Sequence, residues 1–164
     1  MEKRRELKRI GLLLAALVLA GPAMAAPQRV VIDKNEQMLR AYEGDRLVFQ
    51  SPVSTGKRGK ETPSGRFHAG AKYRMHYSSR YHNAPMPYSV VVNGQYFIHG
   101  YSQVPSYPAS HGCIRLPLDN GNPARWFYNW VKPGTPISII GQWPGSRPEG
   151  RRRAVTVIRA RPVQ

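Results

Sequence analysis

Apolar and polar positions alternate in short stretches along most of the chain, and that period predicts strands joined by tight turns. Val30-Val31-Ile32 is a compact β-branched run ending in the polar turn Asp33-Lys34-Asn35-Glu36. Met38 to Tyr42 follows, then a turn at Glu43-Gly44-Asp45, then Leu47-Val48-Phe49. The pattern is that of successive hairpins. Pro52-Val53-Ser54-Thr55 predicts another strand closing at Gly56, and Arg66-Phe67-His68-Ala69 a further extended segment. Between them Lys57 to Gly65 (KRGKETPSG) reads as a solvated, basic surface loop. Residues 70 to 88 fit neither period: Tyr73, Tyr77, Tyr81 and Tyr88 lie among Met75, Met86, Pro85 and Pro87. They read as a loop packed over the core or as the wall of a peptide groove.

The period returns at Ser89 to Val92. Asn93-Gly94 is a strong hairpin signal, and Gln95 to Ile98 is the returning strand. His99 is thereby predicted at the end of a strand, on a rigid element. Gly100 to Ala109 is a short loop rich in Tyr and Pro, and Ile114-Leu116 predicts re-entry into extended structure from Ser110. One helix stands out. Asn122 suits the N-cap, Pro123 the first helical position, and Ala124, Phe127 and Val131 recur at helical spacing with Trp126 and Trp130 beside them. Pro133-Gly134 stops it, and Pro136 to Ile140 predicts a closing strand. The expectation is a mainly β domain with one principal C-terminal helix.

The two ends depart from this pattern. Met1 to Arg9 is short and basic, Ile10 to Ala20 is an apolar run, and Ala23-Met24-Ala25 has small residues at cleavage-site spacing. Those are the three regions of a secretory signal peptide over residues 1–25, and the run is short for a membrane span. Residues 142–164 form a basic tail, with six arginines against the single acid Glu149. Overall the chain carries 25 Lys+Arg against 9 Asp+Glu; without the leader 20 remain against 7, a net +13. Outside the cytoplasm such charge suits substrates bearing carboxylates and, through the arginine-rich tail, anionic envelope polymers. An exported protein is a poor candidate for nucleic acid, so none is expected as a partner. The expected location is the periplasm or cell envelope.

Export also changes the meaning of Cys113, the one cysteine. In an oxidising compartment an unpaired thiol needs a reason. Its neighbourhood, YFIHGYSQVPSYPASHGCIRL, holds His99 and His111 on one side and Arg115 on the other. A thiol is a strong nucleophile once deprotonated, and an imidazole in reach can take the proton and return it to a leaving group. If residues 111 to 115 are extended, the period of two puts His111, Cys113 and Arg115 on one face. Gly112 permits close backbone approach, and the amides of Gly112 and Cys113 are candidates to bind a developing oxyanion. Metal is not expected: His99, His111 and Cys113 could ligate zinc, but there is no Cys-x-x-Cys or His-Glu-x-x-His. His68, His76 and His82 have no motif spacing and read as ordinary surface or packing residues.

The segments IHG and SHGCIRL together resemble the signature of L,D-transpeptidases, the YkuD-type catalytic domain. The likeness extends over about residues 28 to 141, through VVIDKNEQMLRAYEGDRLV, PVSTGK, TPSGRF and WFYNWVKPGTPISII. It implies two sheets curled around a core, with the cysteine in a tunnel-like cleft. It implies a peptidoglycan stem peptide as substrate, attacked by Cys113 to give a thioester, with no cofactor. An amine of a second stem then takes the acyl group to form a 3–3 cross-link. The same resemblance makes His99 the acid/base, oriented by a carbonyl near Gly100. It makes Ser110, His111, Gly112, Arg115 and Gly100 the residues that line the cleft and hold substrate or oxyanion. Water or a protein lysine could resolve the same thioester, giving a carboxypeptidase or a protein-anchoring enzyme. A non-catalytic wall-binding module would not need the full SHGC set.

Overall fold

The computed structural model describes residues 25–142. The expected leader and basic tail lie, but for Ala25 and Gln142, outside the described residues. The described chain is mainly β, with two sheets and one helix. The first sheet takes β1 (Gln28–Asp33), β2 (Met38–Glu43), β3 (Arg46–Pro52) and β4 (Gly65–His68). The second takes β5 (Lys72–Tyr77), β6 (Pro85–Asn93), β7 (Tyr96–Tyr101) and β8 (Ile114–Pro117). After α1 (Pro123–Trp130), β9 (Pro136–Ile140) returns to the first sheet, giving the orders β3-β2-β1-β9-β4 and β5-β6-β7-β8. Most neighbours are antiparallel hairpins; β1–β9 and β7–β8 are parallel, each joined by the long excursion that a parallel pairing requires.

Alternation decides which side chains enter the core. Val30 and Ile32 of β1, Leu39 of β2 and Ile137 and Ile139 of β9 point inward from the first sheet. Val90, Val92, Ile98, Ile114 and Leu116 meet them from the second. Asn122 sits in the left-handed region (φ 57°), and its side chain accepts from the Arg125 amide at 2.9 Å, so the helix starts where its cap predicts. It ends at Trp130, a residue before Val131, which is extended but still buried. Phe127 and Ala124 face β6, β7 and β8. Trp126 stacks on Phe49 at 4.1 Å and Trp130 Nε1 donates to Glu43 at 3.0 Å, tying the helix to the first sheet.

Two readings change. Residues 72–77 and 85–93 are strands, although prolines at 85 and 87 obscure them. β6 pairs with β7 only from Val90 onward, so both prolines lie where the strand has a single neighbour and a missing N–H costs little. Tyr88, at φ 56°, interrupts the ladder between the Ser89 and Pro87 pairs. Residues 53–56 make no full strand. They form bridges from Ser54 to Arg115 and from Gly56 to Ser110, a short tie between the sheets.

Candidate active site

The tie at residues 53–57 holds the Cys113 segment in place. Ser54 and Arg115 exchange backbone hydrogen bonds of 3.1 and 3.0 Å, Ser110 N–H donates to Thr55 O at 3.0 Å, and Lys57 N–H donates to Ser110 O at 2.9 Å. The tie is itself anchored to the β1–β2 turn. Buried Gln37 donates to Thr55 Oγ1 at 2.9 Å and accepts from the Thr55 amide at 2.8 Å. A rigid polar scaffold thus runs from the first sheet to the cysteine.

Residues 111–113 are a turn, not the extended strand expected from the sequence; β8 begins at Ile114. Gly112 has φ +119°, and a Cβ there would come within 2.7 Å of the Tyr96 ring. Buried Ser110 shapes the turn: its Oγ accepts from Gly112 N–H at 3.1 Å and donates to Cys113 O. The Gly112 amide is therefore engaged, which corrects its reading as an oxyanion donor; the Cys113 amide keeps that reading. Although 111–113 is a turn, His111 still lines the same cleft as Cys113 and Arg115. It is exposed and packs its ring on Tyr81, centroids 4.6 Å apart. From Cys113 onward the period of two holds: Ile114 and Leu116 are buried, while Cys113 and Arg115 are half-buried on the opposite face.

The parallel register brings the imidazole and the sulfur to one cleft. It pairs Ile98 with Ile114 and His99 with Arg115, in the middle of β7 rather than at its end. With Ile98 and Ile114 inward, Phe97 and His99 of β7 and Arg115 of β8 occupy the other face of two strands about 4.8 Å apart, and Cys113 leads into β8 on that side. All four line one cleft of about 670 Å³. Its walls also include Lys60 and Glu61 from the loop read as solvated, and His76 and Tyr81 from the 70–88 stretch, of whose two readings the groove wall fits.

His99 is 5% exposed, and its Nδ1 lies 2.9 Å from Gly100 O. A carbonyl only accepts, so Nδ1 carries the hydrogen and Nε2 bears the lone pair. Burial first, opposed by the Gly100 bond and helped by the charge of Arg115 and by His76, lowers its pKa to about 4. Burial also raises the Cys113 thiol, against the smaller pull of the Phe97 amide and Arg115. Its Sγ donates a long bond to Gln95 O at 3.9 Å. At neutral pH both groups rest uncharged. Arg115 lies over the Tyr101 ring at 4.0 Å, held beside the imidazole. His111 is lowered by partial burial and then by Lys57, Arg115 and Lys60, the mark of a strongly cationic rim.

Sequence reasoning missed three contributors. His76 stacks on Phe97 at 4.9 Å and lines the cleft; its place on a strand was hidden with the strand itself. Lys34, read as part of a polar turn, is 6% exposed, and its Nζ donates to Thr62 O at 2.9 Å. Burial lowers its pKa, against the opposing effect of Glu61. Thr62, in the supposed solvated loop, is buried and bonded to the site. The Thr-Pro-Ser-Gly sequence marked a turn but gave no sign of that contact.

A family model described as the L,D-transpeptidase catalytic domain, YkuD, matches residues 27–139, more than half of the chain. The chain belongs to the L,D-transpeptidase catalytic-domain family. L,D-transpeptidase 1 of Mycobacterium tuberculosis is 30% identical to it over 152 residues, a match covering 75% of this chain and 51% of that protein. The chain thus spans about half the length of the curated relatives it matches. An L,D-transpeptidase structure from Xylanimonas cellulosilytica is 29% identical with a TM-score of 0.62, covering 73% of this chain and 63% of that one. The L,D-transpeptidase LdtMt1, solved in complex with imipenem, is 26% identical with a TM-score of 0.63, covering 71% and 59%. These L,D-transpeptidase folds share the two-sheet, one-helix architecture described above.

Proposed function

We propose that this domain is a peptidoglycan L,D-transpeptidase in which Cys113 carries the acyl group and His99 moves the protons. The observation that carries the reading is the placement in one cleft of a half-buried thiol, in the turn leading into β8, and a neutral, tautomer-fixed imidazole on the adjacent parallel strand β7. When a tetrapeptide stem enters, the thiol proton passes to His99 Nε2 and Sγ attacks the carbonyl carbon of the third residue. The tetrahedral oxyanion collapses, the C–N bond to the terminal D-alanine breaks, and the imidazolium returns the proton to the leaving amine. A thioester remains. The amine of a second stem attacks it, His99 takes the amine proton, and the departing sulfur receives that proton back. The product is a 3–3 cross-link.

Resting neutrality fits this order of events, since a thiolate–imidazolium pair in a desolvated cleft is stabilised only once the substrate consumes the charge. Lys60, Arg80, His111 and Arg115 line the cleft and suit the carboxylates of stem peptides. Ser110 shapes the turn, and Gly100 supplies the carbonyl that orients His99. Cys113 N–H serves as oxyanion donor. Action on the wall implies export to the periplasm or envelope, with residues 142–164 contributing affinity for anionic polymers. Mass spectrometry of a purified disaccharide-tetrapeptide incubated with the protein tests the reading. Cross-linked dimer supports it, tripeptide alone makes the protein an L,D-carboxypeptidase, and unchanged substrate refutes both. The LdtMt1–imipenem complex supports a second probe: imipenem should add its mass covalently at Cys113.

A further inference from the structure

Thr62 belongs to no motif that bears chemistry, yet it touches the turn that carries the cysteine. It is 1% exposed, and its Oγ1 accepts from Gly56 N–H at 2.9 Å and lies 2.7 Å from Gly112 O. The direction of the second bond is fixed by the first. An amide N–H can only donate, so the hydroxyl must accept there, and its own hydrogen goes to the Gly112 carbonyl. Gly56 makes this approach possible, because a Cβ on it would lie 2.0 Å from Lys60 O. Behind Thr62, the buried Lys34 ammonium holds its carbonyl at 2.9 Å.

Consider the four polar backbone atoms of Gly112 and Cys113. Ser110 Oγ holds Gly112 N–H and Cys113 O, and Thr62 Oγ1 holds Gly112 O. In a planar trans peptide the N–H points opposite to the C=O. With Gly112 O drawn toward buried Thr62, the Cys113 N–H is turned away from it. We propose that Thr62 is a positioning residue: its hydroxyl fixes the plane of the Gly112–Cys113 peptide, and so aims the Cys113 amide at the oxyanion formed when Sγ attacks a carbonyl. This rests on the acyl-transfer reading above and extends it to a residue in the Lys57–Gly65 loop.

The hydroxyl and the shape of the side chain separate in the variants. Thr62→Val keeps the shape and loses both hydrogen bonds; Thr62→Ser keeps both. Removing an oxyanion donor slows acyl transfer about 100- to 1000-fold, and misdirecting one should cost about 10- to 100-fold. The test measures two reactions of Cys113 in the same preparations: acylation by imipenem, which passes through an oxyanion, and alkylation by iodoacetamide, which does not. In Thr62→Val, acylation should fall by about 10- to 100-fold while alkylation and its pH profile stay within about twofold. In Thr62→Ser both should match the wild type. Equal loss of acylation and alkylation in Thr62→Val, or loss of acylation in a folded Thr62→Ser protein, overturns the assignment. If Thr62→Val does not fold, the serine variant still decides. A wild-type protein that alkylates but is never acylated refutes the functional reading itself, and the positioning role with it.

Discussion

Burial of His99 makes a quantitative prediction about acid. The imidazole is 5% exposed, and desolvation is the largest reason that its pKa falls from an ordinary 6.5 to about 4. Between those values the unfolded chain binds a proton at this site and the folded chain does not. Stability from this group is therefore complete above about 6.5, declines as the pH falls, and is fully lost below about 4. At about 1.4 kcal/mol per pH unit the whole effect is about 3 kcal/mol, a sizeable part of a typical domain's stability. His99→Asn keeps a donor for Gly100 O and removes the titration. Urea unfolding of both proteins at pH 7 and pH 4 isolates the term, because all other groups titrate in each. The wild type should lose about 3 kcal/mol more than the variant over that interval. Activity should follow the same group: with neutral His99 as base, the acid limb of acylation lies near 4, not near 6.5. Equal losses in the two proteins, or an NMR titration of the His99 ring with its midpoint near 6.5, would show that the ring is solvated and the argument wrong.

Other consequences are simpler to check. Cys113→Ala should abolish imipenem acylation and tetrapeptide turnover while leaving the melting temperature within about 2 °C, since a half-buried Sγ contributes little packing. Gly56→Ala forces a methyl against backbone at Lys60 and Thr62 and should cost about 3 kcal/mol, read as a fall in the thermal midpoint. Arg115→Gln removes a charge that lowers the His99 pKa, so the NMR midpoint of that ring should rise; a fall would contradict the electrostatic assignment. Deleting residues 146–164, with their run Arg151-Arg152-Arg153, should weaken pull-down by sacculi at low salt and make no difference at high salt. Unchanged pull-down at low salt would remove the tail from the account of envelope binding.

What could be read from the chain alone follows the range of the interactions responsible. β1, β2, β7 and β9 and the helix were legible because alternation, Asn93-Gly94 and the Asn122-Pro123 cap act over a few residues. His99 and Cys113 were legible as chemistry, and their place in one cleft follows from a parallel pairing that neither segment encodes by itself. The start of β6 was hidden because Pro85 and Pro87 argue against a strand, and they are harmless only because that part of β6 has a single neighbour; β5, its partner, shows no alternation of burial of its own. The turn at 111–113 was misread for a related reason. Ser-His-Gly-Cys next to Ile-Arg-Leu continues a period of two, but the Ser110 side chain competes for the backbone and Gly112 permits φ +119°. Thr62 shows the limit most clearly. Its partner Gly112 is 50 residues away, and Lys34, which holds it, is 28 residues in the other direction. A basic, glycine-punctuated loop was a sound inference from local chemistry. Only the fold turns its threonine inward, and that inward turn connects the loop to the turn that carries the sulfur.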